Sequence, residues 1–197
     1  MKKETFELIE KIKKDLKENM SEKRFEHSVS VMKKAIELAK IYNENEDEAA
    51  LAGLTHDIAK EIPDDEAFMI AEKNGIELDE IEKINTKLLH GKIGAFLAKE
   101  KYGFNERITD AIKFHTETVP EMDNLSKIVY VADKIEDTRV SDKVDLDKQR
   151  EVAMQNLDDA VIMIHEASTL KQIEKGRLIH PNGIYTRNYL LMNKINV

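Results

Sequence analysis

Six histidines are spread along a chain that contains no cysteine: His27, His56, His90, His115, His165 and His180. One of them, His56, runs directly into Asp57 inside the stretch LAGLTHDIAKEIP, Leu51 to Pro63. An ionisable pair in a segment that otherwise reads as core has two possible uses. It is a pair of metal ligands, or it is a helix-end pair in which Asp57 meets Lys60 at i,i+3, worth a few tenths of a kcal/mol. Without thiolates, any metal has to be held by imidazole and carboxylate, a donor set that suits iron, manganese or zinc.

Taken singly, a histidine on the edge of an apolar helix face is more often a hydrogen-bonded core residue than a ligand. The set carries more information. His27, the pair His56-Asp57, His90, His115 and Asp133 each fall within, or at the end of, a separate helical segment. On a helical wheel Ala49, Ala52, Gly53, His56 and Lys60 share a face, so the neighbours of His56 are small. Small residues let other helices approach until their histidines converge on one ion. Asp57 projects about 80–100° away from His56, as required of a residue that bridges to a second ion. His165, in AVIMIHEAS, has no place in this set and reads as packing or surface; His180 reads as structural or cleft-lining.

The positioning elements are helices. Phe6, Ile9, Ile12 and Leu16 recur at three- and four-residue steps and predict a first helix over about 3–19. Ser21 is an N-cap candidate for the next helix, which runs to Tyr42. There Glu26, Ser30, Lys33, Lys34, Glu37 and Lys40 form a polar arc, apolar residues fill most of the rest, and His27 sits at the border. A helix follows through Ala49 to Lys60; Pro63 with Asp64, Asp65 and Glu66 opens another, and Gly75 and Gly103 read as stops. Further helical patterns cover about 79–100, 105–116, 124–140, 147–164 and 185–194. The run Ile128-Val129-Tyr130-Val131 would suit a strand in isolation, but its flanks continue the helical period. The expectation is an all-α, single-domain helical bundle over 1–197. In it the first helix packs on a core of about 21–140, and the C-terminal helices of about 147–194 belong to the same domain.

Composition agrees. Seven glycines and three prolines among 197 residues are too few for a turn-rich β fold. A formal net charge of −8 argues against nucleic-acid binding, yet local cations in a cleft could still receive a small anionic substrate. The charged start MKKETFELIEKIKKDLKEN lacks the apolar stretch of a signal peptide, and no apolar run approaches transmembrane length. The chain is therefore expected to be cytoplasmic, with no membrane partner. No unpaired apolar stripe separates a monomer from a homodimer.

The order His27, His56-Asp57, Asp133 resembles the HD superfamily of metal-dependent phosphohydrolases, and His90 and His115 fit its two-metal branch. More closely, RFEHSVSV, AALAGLTHDIAK, LLHGKIGAFLAKEKYG, AIKFHTET, KIVYVADKIEDTR and IHPNGIYTRNYLL resemble the YqeK-type symmetrical diadenosine tetraphosphate hydrolases of bacteria, over nearly the whole chain. One departure stands out: the family commonly continues with a Thr-Thr-Gly-type run after the fifth-segment histidine, where this chain has Thr116-Glu117-Thr118. Glu117 is thus expected to add negative charge beside the phosphate site.

The resemblance implies that His27, His56, Asp57 and Asp133 hold one divalent ion, and Asp57, His90 and His115 the other. Iron is the family's metal; manganese, cobalt, nickel and zinc suit the same ligands. It implies attack of a metal-bridging hydroxide on a phosphorus of the tetraphosphate chain, giving two ADP from a dinucleoside polyphosphate. Lys60 is a candidate catalytic and substrate-binding cation, with Arg24, Arg139 and Thr116 as further phosphate contacts. Each of the three cations reads equally well as a solvated surface charge. Two rival readings share parts of this pattern. One is another HD nucleotide phosphohydrolase, a nucleoside monophosphatase or phosphodiesterase; the other is a nucleotide-sensing module without turnover.

Overall fold

Side-chain caps punctuate the chain. Ser21 accepts from the Arg24 amide, Asn45 from those of Asp47 and Glu48, and Asn105, Asp123, Asp145 and Asn156 cap the helices that follow them. Asp79 and Glu82 form a reciprocal capping box. The computed structural model describes residues 2–195. Its helices are α1 (Lys3–Asn19), α2 (Glu22–Ile41), α3 (Glu46–Thr55), α4 (Asp64–Lys73), α5 (Glu80–Ile84), α6 (Leu89–Tyr102), α7 (Glu106–Phe114), α8 (Asn124–Ile135), α9 (Leu146–Gln155), α10 (Leu157–Glu174) and α11 (Pro181–Ile195). A 3₁₀ turn, Thr86–Leu88, precedes α6. No strand occurs among the described residues, and Ile128 to Val131 lie inside α8, so the fold is all-α as expected.

The core is built around α2, α3 and α8. Val31, Ala35 and Leu38 meet Ala49, Ala52 and Leu54, and Leu125, Ile128 and Ile135 close the layer; all are buried. Onto it α1 lays Ile9, Ile12 and Leu16, and α7 adds Ile108 and Ile112. A smaller cluster of Ala59, Ala67, Ala71, Leu89 and Ile93 seats α4 on α6. Each buried Leu or Ile contributes about 1.5–3 kcal/mol.

Several boundaries differ from the sequence reading. The pattern over 79–100 is broken at Asn85, whose φ −103°, ψ 74° leave the helical region, so α6 starts afresh with His90 in its first turn. The 124–140 helix stops at Ile135: Glu136 turns extended (ψ 158°) and its carboxylate accepts from the Thr138 amide and hydroxyl. The 147–164 pattern is two helices, separated by Asn156, and the second continues to Glu174. The helix through Ala49 ends at Thr55, and the chain then folds into tight turns closed by Ile58 N–H to Thr55 O and Lys60 N–H to Asp57 O. Pro181 opens α11, four residues ahead of the expected start, at the first-turn position where its missing N–H costs nothing. Two residues of the α2 polar arc, Ser30 and Lys34, are buried; Lys34 keeps its charge by pairing with Glu37 at 2.6 Å and Asp137 at 2.9 Å.

Two glycines set helix spacing. A Cβ on Gly53 would stand 3.1 Å from Ala35 Cβ and Met32 Cα, so α2 and α3 cross in close contact. A Cβ on Gly91 would lie 2.6 Å from the Lys113 carbonyl oxygen and overlap Thr116 Oγ1, so α6 crosses the end of α7 with no room for a methyl group. No helix among the described residues is long and apolar enough to cross a membrane.

Candidate metal centre

Three of the histidines are aimed by the same local device. The ring Nδ1 of His56 donates to Gly53 O at 2.8 Å, that of His90 to Lys87 O at 2.7 Å, and that of His115 to Ile112 O at 2.5 Å. Each acceptor lies three residues back; His56 and His115 are also the C-cap residues of α3 and α7, where helix carbonyls otherwise lack partners. His27, on α2, uses a carboxylate instead, its Nδ1 standing 3.2 Å from Glu136 Oε1. A proton held on Nδ1 leaves the Nε2 lone pair free, the tautomer of a metal-ligating imidazole.

All four Nε2 atoms turn towards Asp57, which is almost wholly buried at the end of α3. Asp57 Oδ2 lies 3.4 Å from His56 Nε2 and 3.8 Å from His27 Nε2. Its other oxygen, Oδ1, lies 3.2 Å from His90 Nε2 and 3.5 Å from His115 Nε2. Asp133 of α8 joins the first side only, its Oδ1 at 3.0 Å from His27 Nε2 and 3.8 Å from His56 Nε2. His56, His115 and Asp133 also fall within 4.8 Å of one another, so the two sides form one continuous six-residue cluster.

The donors present fit a divalent cation. His27 Nε2 and His56 Nε2 are buried without a hydrogen-bond partner among the described residues, an arrangement that costs roughly 1–3 kcal/mol per group. His90 Nε2 and His115 Nε2 face each other at 3.1 Å with both Nδ1 protons committed to carbonyls. An ion with bonds of about 2.0–2.2 Å places neighbouring ligand atoms about 2.8–3.6 Å apart, close to the 3.0–3.8 Å between the facing nitrogens and oxygens here.

Residues 24–138 match the HD domain, more than half of the chain. The chain belongs to the HD-domain family. Curated relatives run nearly end to end. The symmetrical bis(5'-nucleosyl)-tetraphosphatase of Bacillus subtilis is 33% identical, covering 89% of this chain and 94% of its own length. That of Halalkalibacterium halodurans is 34% identical, with 91% and 95% covered. A Clostridium acetobutylicum crystal structure, described as a predicted HD superfamily hydrolase involved in NAD metabolism, superposes with a TM-score of 0.90 at 40% identity, over 93% of this chain and 97% of that one. The protein is an HD-domain hydrolase of the symmetrical bis(5'-nucleosyl)-tetraphosphatase family.

The electrostatics of the HD cluster are set by burial and pairing. Burial alone would raise both aspartates; His56, His115 and His90 around Asp57, and Lys134 and His27 beside Asp133, hold both well below the usual carboxylate range. Burial pushes His115 down to about 4 and lowers His90, so both are neutral at physiological pH. His56 is buried too, but Asp57 and Asp133 outweigh that and raise it.

A cleft of about 340 Å³ opens over the cluster. Lys60 reaches His90 Nε2 at 3.0 Å, and Arg24 donates to Asp57 Oδ2 at 2.5 Å. Arg139 donates to Asp133 Oδ1 at 3.1 Å, and Thr116 lines the wall. The sequence reading thus has its three cations brought to one cleft. It missed three residues: Lys134, 2.6 Å from Asp133 Oδ2; Lys87, on the rim; and Glu136, behind His27. The phrase ADKIEDTR held two of them, at one and three positions beyond Asp133.

Glu117 is a correction. Its carboxylate turns away from this cleft into an adjoining cavity and lies 2.7 Å from His180 Nδ1, while His180 Nε2 donates to Asp79 Oδ2 at 2.6 Å. Burial, with Glu82 and Asp79 nearby, pushes Glu117 up to about 8. The added negative charge is therefore not beside the phosphate cleft. His165 is a packing residue: its ring stacks on Tyr130 with centroids 5.2 Å apart and covers Gly183.

Proposed function

We propose that this HD-domain protein hydrolyses diadenosine tetraphosphate symmetrically to two ADP. The observation that carries the reading is Asp57 presenting one oxygen to His27 and His56 and the other to His90 and His115, under a cleft lined by cations. The names of the Bacillus and Halalkalibacterium relatives support the substrate.

In this reading His27, His56, Asp57 and Asp133 hold one divalent ion, and Asp57, His90 and His115 hold the second. Bound there, two such ions supply a hydroxide nucleophile near neutral pH and neutralise charge on the phosphoryl oxygens. Iron is the leading metal, with manganese, cobalt, nickel or zinc accepted by the same donors. Arg24, Lys60, Lys134 and Arg139 orient the tetraphosphate and neutralise the charge that develops as the bridging P–O bond breaks. Arg24 and Arg139 fork onto phosphate oxygens, Lys60 acts as a point charge beside the reacting phosphorus, and Thr116 donates a hydrogen bond. Water adds across the central P–O–P bridge: its oxygen joins one of the two central phosphorus atoms, the other departs with the bridging oxygen as the second ADP, and the protons go to solvent. The terminal phosphate of ADP is a good enough leaving group that no strong general acid is required.

The test is anaerobic purification, metal analysis, and incubation with diadenosine tetraphosphate beside ATP, deoxynucleoside monophosphates, cyclic dinucleotides and NAD. ADP as the sole nucleotide product from the tetraphosphate supports the reading. ATP plus AMP, or no turnover with metal bound, overturns it.

A further inference from the structure

The cation-lined cleft does not end at Arg139. Lys134 and Arg139 also form one edge of a second cleft, of about 290 Å³, between the segment that follows α8 and one face of α10. Its walls include Val144, Leu146, Ile164 and Ala167, with Ser168 and the carboxamide residue Gln149 among them. Gln149 is only 3% exposed and is among the residues that line this space. The volume is just below the range, about 300–1,000 Å³, that holds small ligands, and aliphatic walls with a few polar groups are the usual lining.

On the opposite side, past Thr116, lies the cavity of Asp79, Glu82, Lys92, Lys113 and Glu117, in which Lys92 pairs with Glu82 at 2.6 Å and His180 ties Asp79 to Glu117, so its charged groups are largely engaged with one another. A phosphate chain held in the cleft above Asp57 has a cation-lined path over Lys134 and Arg139, the two residues that both clefts share.

We propose that the cleft between 140–149 and α10 is a purine-nucleoside subsite. The base lies against Ile164 and Ala167, the Gln149 carboxamide pairs with its hydrogen-bonding edge, and Lys134 and Arg139 receive the phosphate nearest the ribose. A carboxamide presents an N–H donor beside its oxygen acceptor, the pattern that donates to adenine N7 and accepts from N6. The proposal rests on the reading of the substrate as a nucleotide.

The experiment compares ADP with pyrophosphate, which carries the phosphates without the nucleoside, by calorimetry on the metal-loaded protein. Wild type is expected to bind ADP more tightly than pyrophosphate. Ala167→Phe, which fills the cleft, is expected to weaken ADP roughly tenfold while pyrophosphate stays within about twofold, showing an intact fold and phosphate site. Equal ADP affinity in the variant, or no preference for ADP in wild type, overturns the proposal. Should Ala167→Phe lose pyrophosphate binding as well, photolabelling of wild type with 8-azido-ADP decides: label on 140–149 or 163–172 supports the subsite, and label confined elsewhere overturns it. Failure to cleave diadenosine tetraphosphate would sink the reaction proposed above and leave this binding result standing.

Discussion

Asp57 owes its place to being the residue after a helix end rather than within a helix. His56 completes the C-terminus of α3, and the turn that follows brings both carboxylate oxygens to face imidazoles. Asp57→Ala is expected to release both ions and lower kcat/KM by more than about a thousandfold, read by metal analysis and product formation. Glu136 touches no substrate but fixes the His27 ring, so Glu136→Ala should weaken metal binding by roughly 10–100-fold in a chelator competition. Its role escaped the sequence because a glutamate near a helix end is by default a solvated charge. The ligands were legible for the opposite reason, as their order along the chain carries information no single histidine does. His165 gives a pH prediction. Burial, with Lys134 nearby, lowers it from 6.5 to about 4, so between those values the unfolded chain binds a proton that the folded chain refuses. Stability is then present above pH 6.5 and lost as pH falls towards 4, by about 3 kcal/mol. Urea titrations should show this loss in wild type and a smaller one in His165→Gln.

Elements were easier to detect than to delimit. Hydrophobic periodicity predicted α1, α2, α7 and α8 because their apolar stripes face one core. It ran through Asn85, where the backbone leaves the helical region, and through Asn156, whose side chain accepts from the Asp159 amide and starts the next helix. Asn156→Ala removes the cap on the Asp159 amide and should cost about 1 kcal/mol in denaturant unfolding. The stop at Ile135 was also hidden, since Glu136 leaves the helix to serve His27 and Thr138 at once. Spacing between elements is a separate matter. Gly91→Ala forces α6 away from the Lys113 carbonyl and draws His90 from His115. The expected result is a destabilisation of about 1–3 kcal/mol together with weakened metal binding, the second checked by titrating metal into the folded variant.

At the scale of the molecule, the charge of −8 and the site have opposite signs. Arg24, Lys60, Lys134 and Arg139 crowd around two aspartates in a protein otherwise rich in Asp and Glu. Such a field attracts polyphosphate only over short range, so raising salt from about 50 mM to about 500 mM should lower kcat/KM several-fold with little effect on kcat. Chelation should lower the melting temperature by about 5–15 °C, because ions bound to the folded state alone stabilise it and the cluster joins α2, α3, α6, α7 and α8. The all-α class was legible from composition and period. The meeting of five helices at one point was not, because it depends on Gly53 and Gly91, whose meaning appears only when the neighbouring backbone is in place.

The Gly91 crossing also bears on which ions can enter. With α6 against the Lys113 carbonyl, the gap between His90 and His115 has one width and little give. Calcium, which takes oxygen ligands at about 2.3–2.6 Å in roomy, adaptable cages, would need these rings to spread. Ions of smaller radius that accept nitrogen at about 2.0–2.2 Å would not. The absence of a single methyl group thus makes the helix crossing a gauge of ionic radius, set by backbone contact far more firmly than ring rotation alone could set it.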